Sequence, residues 1–155
     1  MITVDELITR GEEYARHLLL EEREKQLDPL YYLIDPEDKI HLIPCTFKND
    51  FVKKLEFVAV KQLAQRVNCQ AVLFISEGWS VSREKGETGP QPSEDPKRIE
   101  VVSIMAVTYE ASRTKLLHMV RDQVTKRLIG LEPMVEMTDG QGPLIDGLVQ
   151  KPKPN

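Results

Sequence analysis

The sequence predicts an α+β domain in the order α-β-β-α-β-β-β, with a mainly antiparallel five-stranded sheet and helices packed on it. Three features point there: two stretches with a 3.6-residue apolar period, each led by a capping residue; two short apolar runs around a proline turn; and two long strand-like runs on either side of a charged loop.

The first helix begins at a capping box. Thr3 caps, Glu6 answers three residues later, and Ile2 with Leu7 takes the staple positions. Its stripe is Val4, Leu7, Ile8, Gly11, Ala15, Leu18 and Leu19, so the helix is expected from near Thr3 to before Asp28-Pro29, with the charged run Glu21 to Lys25 as its exposed last turns. Next, "LYYLIDPEDKIHLIPCTF" holds two apolar runs around Asp35-Pro36-Glu37-Asp38, residue types suited to positions i and i+1 of a turn, and predicts a β-hairpin. Asn49 or Asp50 then caps a second helix whose stripe is Val52, Leu55, Val58, Ala59, Leu63 and Val67, ending near Asn68.

In "CQAVLFISEGWSVS", strand alternation sorts Leu73, Ile75, Glu77, Trp79 and Val81 to one face, and Val72, Phe74, Ser76, Gly78 and Ser80 to the other. The loop Arg83 to Lys97 carries no large apolar side chain and is expected to be a solvated hairpin tip or a lid. Ile99 to Tyr109, apolar on both faces, suits a central strand. Leu116 to Leu128 fits either period, and the short connection from Tyr109 to Lys115 favours a strand through about Asp122. Glycines and prolines dominate after Pro133, so residues 1–137 are expected to form one domain and 138–155 an irregular, partly disordered tail ending in "KPKPN". At the level of topology this order resembles the roadblock and profilin-like folds, which mostly serve as dimerising or binding modules.

A chain of 155 residues with 41% apolar and 30% charged content suits one domain with its own core. The formal charge of -4 offers no broad cationic field and argues against a nucleic-acid partner. The N-terminal segment lacks a basic region followed by an apolar one, and nothing approaches the ~18 consecutive apolar residues of a membrane span. A cytoplasmic location without membrane association is therefore expected. Cys45 and Cys69 are too few for a disulfide framework and too far apart for a zinc pair; they suit small buried hydrophobes.

"SEGW" followed by "PSEDPKRIEVV" resembles a group of uncharacterised bacterial and phage proteins with an S-E-x-W element and then P-S-x-x-P-x-R-x-E leading into a strand. The matching positions are Ser76, Glu77, Trp79, Pro92, Ser93, Pro96, Arg98 and Glu100, within Ala71 to Tyr109, and this chain inserts "REKGETGPQ" between the two elements. The resemblance implies the hairpin and carries no assigned activity.

Glu77 is the first candidate for chemistry, because a carboxylate on an apolar strand face needs a partner. Arg98, at the start of the opposing strand, is its expected mate, as an ion pair that sets the hairpin register. Glu100 and His118 could join Glu77 to hold a divalent metal and activate water. His17, His41 and His118 show no metal-ligand spacing, and the chain has no nucleophile elbow, Walker loop or dinucleotide fingerprint. Trp79 and Arg98 are candidate binding residues. The expected function is thus a protein-binding or self-associating module without catalysis or cofactor, with a metal-dependent hydrolase or nuclease on Glu77, Glu100 and His118 as the alternative.

Overall fold

In the computed structural model, which describes residues 2–81, 86–138 and 145–152, α1 (Val4–Arg16) runs into one π-helical turn (His17–Glu21). There follow β1 (Leu30–Ile34), β2 (Ile40–Pro44), α2 (Asp50–Arg66), β3 (Ala71–Ser80), β4 (Ile99–Thr108), β5 (Ser112–Arg121) and β6 (Leu128–Thr138). Among the described residues the strands form one sheet in the order β2-β1-β3-β4-β5-β6, with every neighbouring pair antiparallel. None of the helices is long and apolar enough to cross a membrane, among the described residues.

The sheet has six strands rather than the expected five. β6 contains Gly130 and Pro133, which locally oppose a strand, but an outermost strand tolerates both because one row of its backbone groups needs no partner. Irregularities in the β5–β6 register between Lys115 and Leu117 and between Val120 and Arg121 further mask the alternation. Of the expected tail, the described residues 145–152 form no helix or strand, yet Ile145 and Leu148 are buried. The expectations for residues 139–144 and 153–155, and for positions 82–85 of the charged loop, fall outside the described residues. The rest of that loop is mostly exposed, with a short 3₁₀ turn at Pro92–Glu94 and a buried Asp95.

α1 starts as its capping box dictates: the Glu6 N–H donates to Thr3 Oγ1 and the Thr3 N–H to Glu6 Oε2, each at 3.1 Å. It stops earlier than expected because Arg23 takes a φ of 59°, the left-handed conformation that closes a helix, while the Glu24 N–H reaches back to the Leu18 carbonyl. The Asp35 turn also forms, its Oδ1 accepting from the Glu37 and Lys39 N–H groups at 2.9 and 3.0 Å. Asn49 caps α2 through the Val52 N–H.

The helices lie on opposite faces of the sheet. α1 buries Leu7, Ile8, Ala15 and the following Leu19 against Leu73, Ile75, Val102, Ile104, Leu117 and Met119. α2 buries Val60 and Ala64 against Tyr31, Leu33, Val72, Phe74 and Val107, joined by Ile145 and Leu148. The expected α2 stripe is rotated. Val60 and Ala64 turn inward with Phe57, Leu63 and Val67 at half depth, whereas Leu55, Val58 and Ala59 face out. Apolar residues surround most of α2, so periodicity alone does not choose its buried side.

Gly11 sets the distance between α1 and the sheet. A Cβ there would stand 2.6 Å from the Ile104 Cγ2 methyl and 3.2 Å from Leu73 Cδ1, both on buried strand residues with little room to yield. Overpacking of this kind costs about 1–3 kcal/mol, while alanine returns about 1 kcal/mol of helix propensity. Gly11→Ala should therefore lower the thermal midpoint by roughly 2 to 4 °C per net kcal/mol lost. Calorimetry showing a higher midpoint would mean that α1 packs with space to spare.

Candidate functional site

The β3–β4 register sets Trp79 opposite Glu100 and Glu77 opposite Val102, so both acids lie on the face covered by α1. Glu77 is half-buried, and its Oε1 accepts a 2.6 Å hydrogen bond from the Leu27 N–H. Glu100 is held by β5: Arg121 Nε and Nη2 donate to its two oxygens at 2.7 and 3.0 Å, a bidentate pair with defined geometry.

Arg98 is not the mate of Glu77. Continuing the register places Arg98 four residues from Val102, the residue facing Glu77, or about 13 Å along the strands. Its guanidinium instead lies over the Trp79 ring, 4.7 Å from the centroid, and donates to the Asp95 carbonyl. The cation–π contact suits Trp79, which remains 43% exposed.

Nor does the sheet bring His118 to the carboxylates. His118 pairs with Val101 and so points from the face opposite Glu100. The other histidines have their own acids: His41 Nε2 lies 3.0 Å from Asp35 Oδ2, and His17 lies against Glu21 and Glu22. Among the described residues, no group of three His, Cys, Asp or Glu side chains could hold a metal ion. Cys45 and Cys69 are free and buried, and burial pushes the Cys69 thiol up to about 11, out of the range of a ready nucleophile.

The Glu77, Glu100 and Arg121 row is thus a clamp. Glu77 ties the Leu27 backbone, on the segment between α1 and β1, to the middle of the sheet. Burial raises its pKa, and the Glu100 charge adds to the rise; the Leu27 N–H and Arg121 act the other way. Arg121 carried no sequence signal as a partner, because its mate lies 21 residues away on another strand.

Among the described residues, a row of exposed apolar side chains lies on α2. Phe51, Leu55 and Val58 stand one helical turn apart on its outer side, 70%, 54% and 51% exposed. No family model, curated protein or solved structure matches the chain. The functional reading therefore rests on these surfaces.

A raised carboxyl pKa means that the folded state holds its proton more tightly than the unfolded chain. The stability tied to that proton is complete below the ordinary glutamate value of 4.5 and is lost as pH rises through the raised value. Glu77→Gln, which keeps an acceptor for Leu27, should match the wild type well below pH 4.5 and overtake it toward neutrality. Glu77→Ala should cost about 1–3 kcal/mol because the Leu27 N–H loses its partner. Denaturant midpoints across this range check both; a pH-independent difference between wild type and Glu77→Gln would remove burial as the cause.

Proposed function

We propose that the chain is a self-associating binding module whose contact surface is the outer side of α2. The observation that carries this reading is the stripe Phe51, Leu55 and Val58, which leaves on the order of 300 Å² of apolar surface in water, the size of a functional patch on a monomer. An amphipathic helix with a second apolar side gains stability by burying it, and the described core leaves that side uncovered.

A second copy suits the helix direction. Two α2 helices (Asp50–Arg66) packed antiparallel about a twofold axis oppose their dipoles favourably. The stripe from both copies supplies the apolar centre of a standard interface of roughly 1,600 Å², with Lys54, Gln62 and Gln65 at its rim.

Sedimentation over micromolar to high-micromolar concentrations should show a species of twice 17.8 kDa for the wild type. Leu55→Glu should sediment as a folded monomer, the exposed substitution itself shifting monomer stability by only about ±0.5 kcal/mol. Its thermal midpoint should no longer rise with protein concentration as the wild type's does. A wild type that stays monomeric throughout, or a Leu55→Glu protein that still dimerises, defeats the reading.

A further inference from the structure

The end of α1 and the β5–β6 turn enclose a cleft of about 240 Å³. Its walls carry five cations, Arg23, Lys25, Arg121, Lys126 and Arg127, against one acid, Glu24. Its floor is apolar and buried, made by Leu19, Met119 and Leu128. The cations gather here although the chain as a whole carries a net charge of -4.

Little on the protein itself neutralises them. Glu100 pairs with Arg121, but among the described residues no carboxylate is bridged to Arg23, Lys25, Lys126 or Arg127. The neighbouring Asp122 accepts from the Val124 and Thr125 N–H groups at 2.9 and 2.8 Å and keeps its charge, so with Glu24 and Glu100 it balances the five cations only in part. A bound anion offsets the remaining excess.

Two of the three arginines are held in place. Arg23 Nη1 donates to the Leu128 carbonyl at 2.9 Å and Arg121 Nη1 to the Lys126 carbonyl at 3.1 Å. Arg23 spends one of its five N–H donors this way and keeps the rest. Arg23 and Lys126, on opposite walls, take φ values of 59° and 62°, a region that glycine occupies with less strain and that Asp38, Phe47 and Asn68 also adopt elsewhere in the chain.

We infer that this cleft is a binding site for a small phosphorylated ligand. Arginine forks match phosphate oxygens in pairs, and the lysines add point charges. The volume is below the roughly 300–1,000 Å³ of a drug-sized pocket, so it takes a phosphate or diphosphate group with a small attached body. The cations occupy one cleft rather than a stripe, which suits a compact anion better than a nucleic-acid strand.

Titration calorimetry at low salt with inorganic pyrophosphate, glucose 6-phosphate and glucose tests the site on the full-length chain. Pyrophosphate and glucose 6-phosphate should bind and glucose should not. Lys126→Gly combined with Arg127→Gln removes two cations while relaxing the left-handed turn; it should weaken binding at least tenfold without lowering the thermal midpoint of the ligand-free protein. Lys39→Gln with Lys48→Gln, exposed on the β1–β2 turn and ahead of α2 and outside the cleft, should leave binding unchanged. No binding of either phosphate compound to the wild type overturns the site. Equal weakening by the two double variants reduces it to general charge attraction and overturns it as well. A single-stranded oligonucleotide that binds more tightly than pyrophosphate, with affinity lost in the cleft variant, would replace the small ligand with nucleic acid.

Discussion

The β3–β4 pair is buried on both faces, and the remainder of the fold is arranged around that demand. Leu73, Ile75, Val102 and Ile104 face α1, while Val72, Phe74 and Val107 face α2 and the segment holding Leu148. A two-sided strand pair needs a cover on each side, so the two helices must lie on opposite faces. The close approach at Gly11 lets one helix reach β3 and β4 together. Strands farther from this pair have one face less well covered, which is where the exposed Leu42 of β2 and Ile129 of β6 occur.

What was legible in the sequence was local. The Thr3 and Glu6 box, the Asn49 cap and the Asp35 turn each involve residues within four positions of one another, and all formed as expected. β6 was missed because Gly130 and Pro133 speak against a strand locally, and only its place at the sheet edge makes them acceptable. The inward side of α2 was misread because its apolar residues lie on two sides; the small Ala64 and the Val60 side chain meet the sheet, and no periodic count reveals that preference.

The candidate site was less legible than the fold. Glu77 was rightly marked as an acid in apolar surroundings, but its partner is a backbone N–H 50 residues away, and backbone donors leave no trace in a residue pattern. Arg98 was nearest in the imagined hairpin, yet the pairing of Trp79 with Glu100 carries it past Glu77 and onto the indole ring. Strand alternation also assigns His118 and Glu100 to opposite faces once Val101 is paired with His118, so the three-residue metal site fails on geometry. Only the long-range register decides these points.

The two surfaces with unmet demands are separate, and their separation has a physical origin. The α2 stripe lies on one side of the sheet; the cationic cleft is built from the end of α1 and the β5–β6 turn, and its floor residues belong to the core on the other side. Association through α2 therefore leaves both clefts of a dimer open to solvent. The driving forces differ as well: burial of Phe51 and Leu55 is little affected by salt, whereas attraction of an anion to Arg23, Lys126 and Arg127 weakens as the Debye length falls below about 10 Å. The proposed assembly and the proposed anion binding would therefore not obstruct one another. Coupling between them would have to pass through the sheet, whose central strands are packed on both faces.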